Sequence, residues 1–168
     1  MTGIAIFMIV QLLYIIRHIR LFEYHTKNQS QLKLIISIVS GLLIFSFNGY
    51  FIYYLWKILV QKGLFIPVLI YSIIISISLY IAILIFIYNK KYKTNTLFIL
   101  SGMSFFYISD LNIIISLLFK GDYFTSYTRI LIWIFYMPAI LFLALSGYNW
   151  TYSSTSCRWC FEKPEIFV

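Results

Sequence analysis

Residues 63–89 read GLFIPVLIYSIIISISLYIAILIFIYN, 27 consecutive positions without a charge, closed by Lys62 on one side and Lys90 on the other. A helix rises 1.5 Å per residue and the hydrocarbon of a bilayer is about 30 Å thick, so about 20 apolar residues cross it. This run is therefore a membrane span, and similar runs surround it. Leu34–Trp56 has 23 uncharged residues between Lys33 and Lys57, and Thr94–Phe119 has 26 interrupted only by Asp110. Ile130–Cys157 has 28, of which roughly the first 20 are apolar enough to span. Met1–Ile16 is the shortest, with 16 residues before Arg17, and it crosses only if Arg17 and Arg20 snorkel to the interface. A signal peptide does not fit there, because no Lys or Arg precedes residue 17 and Tyr14-Ile15-Ile16-Arg17 is no cleavage site. Barrel strands alternate polar and apolar residues, and these runs do not. The pattern predicts an all-α, polytopic transmembrane bundle with five spans, at about 2–18, 34–56, 64–88, 95–119 and 130–149.

Composition agrees. The 168 residues are 62% hydrophobic and 11% charged, with a mean hydropathy of +0.91, against about 45–50% apolar and 25% charged in a soluble domain. A globule of this size still exposes about a third of its chain surface, so a water-soluble fold is excluded, as is disorder. With 32 Ile against four Ala, isoleucine is generic apolar filler and carries little positional meaning.

The net charge of +8 is orientation information. Lys and Arg alternate between loops so that one side of the membrane carries nine and the other four. Basic loops stay cytoplasmic, which puts the N-terminus outside and the C-terminus in the cytoplasm. The basic residues sit at helix ends rather than in a patch, so nucleic acid is not an expected partner. Anionic membrane lipids are. Tyr53, Tyr54 and Trp56, Tyr88 and Tyr92, and Tyr148, Trp150 and Tyr152 fall where interfacial aromatic belts are expected. Residues 17–33 form the one sizeable loop, expected as a short interfacial helix. The division is a transmembrane domain over 1–152 and a polar cytoplasmic tail over 153–168.

Asp110 is the one acid inside a span, about 5 Å from the middle of its run. Placing it there costs about 2.5–3.5 kcal/mol on insertion scales. Intramembrane acids usually face the bundle interior and serve protons, ions or a substrate; the plainer role is a carboxyl that joins two helices. Helical spacing puts Met103, Phe106, Tyr107, Ile113, Ile114 and Leu117 on its face, and its partners are expected to be Tyr14, Asn48 or Tyr136. Gln11, Asn48 and Tyr136 are the other mid-span polar groups, each expected to hydrogen-bond across helices. Pro138 is expected to kink the fifth helix. His18 and His25 are expected as solvated loop residues. The Cys157–Cys160 pair lacks the further ligands of a zinc site and the βαβ setting of a redox site, and a cytoplasmic tail keeps thiols reduced. No metal or cofactor is expected.

Gly102-Met-Ser-Phe-Phe-Tyr-Ile-Ser109-Asp110, followed one helix later by Leu131-Ile-Trp-Ile-Phe-Tyr136, resembles the end of the YhhN family. Phe65-Ile66-Pro67-Val68-Leu69-Ile70-Tyr71 is similar to that family's Pro-Val-x-x-Tyr helix. Gly3-Ile-Ala-Ile-Phe7, then Leu12-Leu13-Tyr14, is similar to its Gly-x-x-x-Phe…Leu-x-Tyr helix. The resemblance runs from about residue 3 to about residue 147. The family includes lysoplasmalogenases, eight-helix membrane proteins that hydrolyse the vinyl-ether bond of lysoplasmalogens. The resemblance implies a lysophospholipid substrate, Asp110 as catalytic acid, and Ser109, Tyr136 and Tyr14, with Tyr107 from the same helix face, around the substrate. It implies that these spans correspond to the family's last five helices, in a bacterial-type inner or plasma membrane. A second acid, in an N-terminal Gly-Asp, has no counterpart in this sequence. Gln11 stands where the family commonly has His, the Gln expected shortly after Tyr136 is missing, and nothing from Ser153 onward is similar.

Vinyl-ether hydrolysis needs a proton on the alkene carbon and water on the resulting oxocarbenium ion, a task suited to two carboxyls with separated roles. On the resemblance, the chain alone is expected to be an N-terminally truncated copy, unstable or oligomerising, with poorly covered inner faces on its first two helices. Gln11 and Asn48 would lack partners, and activity would return once the preceding helices are supplied. The competing readings are a non-catalytic membrane protein and a small transporter with Asp110 as its proton site, although no inverted repeat or broken helix supports the latter.

Overall fold

The computed structural model describes residues 2–23, 31–89, 93–118 and 122–147. They form α1 (Thr2–Glu23), α2 (Gln31–Gln61), α3 (Phe65–Tyr88), α4 (Lys93–Leu118) and α5 (Asp122–Leu145), with no strand among them. In hydrocarbon every backbone N–H and C=O must be satisfied within its own segment, and a helix does this. Four of the five, α2 to α5, are long and apolar enough to cross a membrane, whereas the apolar stretch found in α1 is the shorter Met8–Ile19.

The helices outrun the charge-free runs. α5 begins at Asp122 rather than near 130, α2 extends over 31–61 rather than 34–56, and α1 continues to Glu23. Charges mark where hydrocarbon ends, but a hydrogen-bonded helix continues into the headgroup layer. The expected separate helix in residues 17–33 is thus replaced at its two ends by the continuations of α1 and α2. His25, Tyr92, Tyr148, Trp150, Tyr152 and the tail from Ser153 with Cys157 and Cys160 lie outside the described residues.

Local chemistry sets the turns. α2 ends in a Schellman arrangement, in which Leu64 N donates to Leu59 O (3.0 Å) and Gly63 N to Val60 O (3.0 Å). Gly63 has φ +64°, which only glycine adopts freely. Pro67 falls in the first turn of α3, where its missing N–H removes no helical bond. α5 runs helically through Pro138, whose lost bond a transmembrane helix tolerates.

α3 is the centre of the bundle. It packs against α1, α2 and α4, and α4 packs closely along α5. Half (50%) of the most apolar stretch of α3 is buried, against 17% in α2 and in α5. One core joins Ile75, Leu79 and Ala82 of α3 to Met103, Phe106 and Tyr107 of α4 and Ala139 and Leu143 of α5. A second joins Leu55 and Leu59 of α2 to Val68, Ile114 and Leu118. At the α4–α5 seam Gly102 allows a close crossing, since a Cβ there would stand 2.8 Å from Leu143 Cγ. Phe105 stacks on both Phe135 and Phe142 along the same seam.

Candidate functional site

Asp110 points into the bundle and is 2% exposed. Its partner is Tyr71 of α3, whose hydroxyl donates to Asp110 Oδ2 at 2.6 Å. This corrects the expectation of Tyr14, Asn48 or Tyr136. Asn48 is engaged elsewhere: its Nδ2 donates to Ser72 O (2.8 Å) and Ser76 Oγ (2.7 Å), tying α2 to α3. The expectation that Asn48 lacks partners is corrected for its Nδ2 by these two bonds, whereas its Oδ1 is buried without a partner among the described residues. Asp110 Oδ1 has no hydrogen-bond partner among the described residues, so the carboxyl is held by one oxygen and unpartnered, though buried, at the other.

The surroundings follow from helical spacing. Met103, Phe106, Tyr107 and Ile114, the face shared with Asp110, are all buried. The Tyr107 hydroxyl, one turn before Asp110, is buried without a hydrogen-bond partner among the described residues. Ser109 is wholly buried and donates to Ile132 O of α5 at 3.3 Å, so its hydroxyl joins α4 to α5. Tyr136 of α5 packs on Phe106, with ring centroids 5.5 Å apart, and edge-on to Trp133 at 6.1 Å. Tyr136 and Tyr14 of α1, both partly buried, pack against the core cluster that contains Phe106 and Tyr107. Tyr71 and Asp110 are thus joined by a hydrogen bond, and Tyr107, Tyr136 and Tyr14 share one core cluster, whereas Ser109 is turned to a neighbouring backbone.

Two residues of α1 depart from expectation. His18, expected in solvent, is completely buried and stacks on Tyr14 with centroids 6.1 Å apart. The reason is that α1 does not stop at Arg17, so His18 falls one turn after Tyr14 on the same face. Gln11 is also completely buried; it makes no hydrogen bond across helices, and neither of its amide atoms has a partner among the described residues, which is the lack of partners expected for it in a truncated copy. At the far end of α1 the Arg17 guanidinium donates from Nη2 to Ser146 Oγ at 3.1 Å.

Tyr71, the hydrogen-bond partner of Asp110, is not among the mid-span polar groups that the sequence singles out. Its signal was present in the Pro67-Val68-Leu69-Ile70-Tyr71 stretch and in Ser72, Ser76 and Ser78, which give α3 its polar content. Among the described residues no three His, Cys, Asp or Glu side chains gather as a metal would need. The arrangement is one carboxyl positioned by a phenol and ringed by aromatic and apolar side chains, chemistry that is able to give and take a proton.

No curated protein and no solved structure matches the chain. The model of the YhhN family matches residues 1–147, a stretch that contains all five helices and every residue of the Asp110 site. This chain belongs to the YhhN family.

Proposed function

We propose that the chain is a membrane-embedded, lysoplasmalogenase-like hydrolase that cleaves the vinyl-ether bond of a lysophospholipid at Asp110. The observation that carries this reading is the buried Asp110–Tyr71 hydrogen bond, which leaves Oδ1 without a partner among the described residues. With Tyr71 donating to Oδ2, the proton of the neutral carboxyl resides on Oδ1, facing the substrate. Asp110 donates it to the alkene carbon remote from the ether oxygen, and the electron pair of the double bond forms the new C–H bond. The other carbon and the ether oxygen share the positive charge as an oxocarbenium ion, which the new Asp110 carboxylate stabilises. Water adds to that carbon and gives its proton to the carboxylate, leaving a hemiacetal. The hemiacetal hydroxyl proton passes to the ether oxygen as the C–O bond breaks, releasing a long-chain aldehyde and a glycerophospholipid alcohol. One carboxyl thus acts as acid and then as base, as in retaining glycosidases, and Tyr71 supplies a second functional group within the chain. This reading therefore departs from the expectation that the chain needs preceding helices and their second acid for activity. Tyr136, Tyr14 and Tyr107 line the substrate side.

Depth supports a lysophospholipid. Asp110 is eight residues before Leu118, the last residue of α4, or about 12 Å from that end at 1.5 Å per residue. The vinyl ether of such a lipid hangs just below its headgroup, so a headgroup held at that surface brings the bond near this depth. The nine-to-four distribution of Lys and Arg makes that surface the outer one. The test presents the chain in lipid nanodiscs with a lysoplasmalogen, its saturated alkyl-ether analogue and its acyl analogue. Aldehyde from the vinyl ether alone is the expected result; no aldehyde, or fatty acid from the acyl analogue, contradicts the reading.

A further inference from the structure

α1 and α5 are the two rims of a cleft. Among the described residues α1 packs on α3 and α5 packs on α4, but α1 and α5 do not pack along each other. They meet at one end, where Arg17 donates from Nη2 to Ser146 Oγ at 3.1 Å. Arg17 shares one edge of α1 with Val10 and Tyr14, at spacings of four and three residues. That edge therefore faces α5, and all three of its residues are only half-buried.

α5 has two flanks along α4. On one, Phe135 and Phe142 stack on Phe105. On the other, Tyr136 packs on Phe106 with ring centroids 5.5 Å apart, and Tyr14 packs against the same core cluster. Trp133 and Ile140 lie one turn to either side of Tyr136 and are 60% and 41% exposed. Both rims are thus open to contact. The floor between them is the cluster that contains Phe106, one turn before Asp110.

Length and chemistry point to the occupant. At the closed end Asn95 Nδ2 donates to Ser146 O at 3.5 Å, which sets Ser146 level with Asn95 of α4. From Asn95 to Asp110 is fifteen residues, about 22 Å. An extended chain of single bonds about 1.5 Å long advances about 1.3 Å per carbon, so about 17 carbons cover that distance. The rims are apolar and aromatic as far as Arg17, where a guanidinium, a hydroxyl and an amide replace them. Hydrocarbon suits the first part and stops at the second, because parting Arg17 from Ser146 beside it would leave polar groups unpaired.

We propose that the α1–α5 cleft holds the single hydrocarbon chain of the lysophospholipid, with the vinyl-ether end at Asp110 and the methyl end at the Arg17–Ser146 bond. The identity of the lipid rests on the hydrolase reading; the cleft adds where its chain lies and a preferred length of about 17 carbons. The headgroup stays at the Leu118 end, and the chain runs away from it along α5.

The test is photo-crosslinking of the full chain in lipid nanodiscs, read by peptide mass spectrometry. The probe is a saturated alkyl-ether lysophospholipid, which has no vinyl ether to cleave, carrying a diazirine near the methyl end of an 18-carbon chain. Adducts should form on α1 between Leu13 and Arg17 and on α5 between Ile140 and Ala144. They should exceed those on Phe45 and Phe47, exposed on α2, several-fold, and excess unlabelled alkyl-ether lysophospholipid should remove them. Ile140→Trp should fill the cleft and lower them several-fold. Ile134→Trp should not, since Ile134 is two positions from Tyr136 and on another side of α5. Adducts equally frequent on α2, adducts that excess lipid does not displace, or equal effects of the two tryptophans overturn the cleft. Crosslinking needs no turnover, so a chain that labels here but releases no aldehyde from a lysoplasmalogen overturns the hydrolase reading alone. A chain that releases aldehyde but labels elsewhere overturns the cleft alone.

Discussion

Tyr71 and Asp110 are 39 positions apart in sequence and on different helices, yet the phenol donates to the carboxyl across 2.6 Å. The bond fixes the rotation of α4 against α3, because a carboxyl turned toward lipid would have nothing to accept from. It also makes the two carboxyl oxygens unlike, one holding a hydrogen bond and one without a partner among the described residues.

Tyr71→Phe removes the held contact and keeps the packing. Aldehyde release should fall about 10- to 100-fold as the carboxyl loses its orientation, through kcat with KM little changed. An equal fall in a mutant's folded fraction, read by size-exclusion chromatography, would assign Tyr71 to structure instead.

Asn48→Leu removes two hydrogen bonds between α2 and α3 and leaves Ser76 Oγ without its donor. Interhelical bonds of this kind are worth about 1–2 kcal/mol in model peptides, so unfolding in mixed micelles should show a loss of that order. Aldehyde release by the fraction still folded should be unchanged, because Asn48 does not touch Asp110.

Five helices were legible because charge marks the edges of hydrocarbon so sharply: Lys62 and Lys90 bracket α3 within three residues of its ends. The inward aim of Asp110 was legible too, since an acid has nowhere else to go in lipid. Its partner was not. α3 is apolar on nearly every side, so its sequence carries little sign of which face meets which neighbour, and Tyr71 could be matched to Asp110 only by packing. His18 was misplaced for a related reason. The charges from Arg17 onward mark the edge of hydrocarbon, but the helix continues through them to Glu23 and keeps His18 on the face of Tyr14.

Gly102 and Gly49 should respond in opposite ways to a side chain. A Cβ at Gly102 would meet Leu143 Cγ at 2.8 Å and Ala139 O at 3.1 Å, whereas one at Gly49 would meet nothing within 4 Å. Gly102→Val should destabilise the α4–α5 pair by about 1–3 kcal/mol, the usual cost of overpacking. Gly49→Ala should be neutral or stabilising by up to about 1 kcal/mol. Thermal unfolding of the two variants side by side checks the pair.

The Lys and Arg distribution predicts an orientation with the N-terminus outside. In a background without Cys157 and Cys160, Gly63→Cys should react with a membrane-impermeant thiol reagent added outside intact cells, and Asn89→Cys only after permeabilisation. The reverse pattern would invert the topology and move the Asp110 site toward the cytoplasmic surface.

The central claim is that Asp110 delivers a proton to carbon, and hydrolysis in D2O tests it most directly. The chain in lysoplasmalogen-containing nanodiscs should release a long-chain aldehyde with one deuterium on the carbon next to the carbonyl. Asp110→Asn, which stays nearly isosteric but has no acidic proton, should lower that release by about 10²–10⁴-fold, the usual worth of a general acid. Deuterated aldehyde formed equally fast by Asp110→Asn, or none formed by the wild-type chain, would contradict the account.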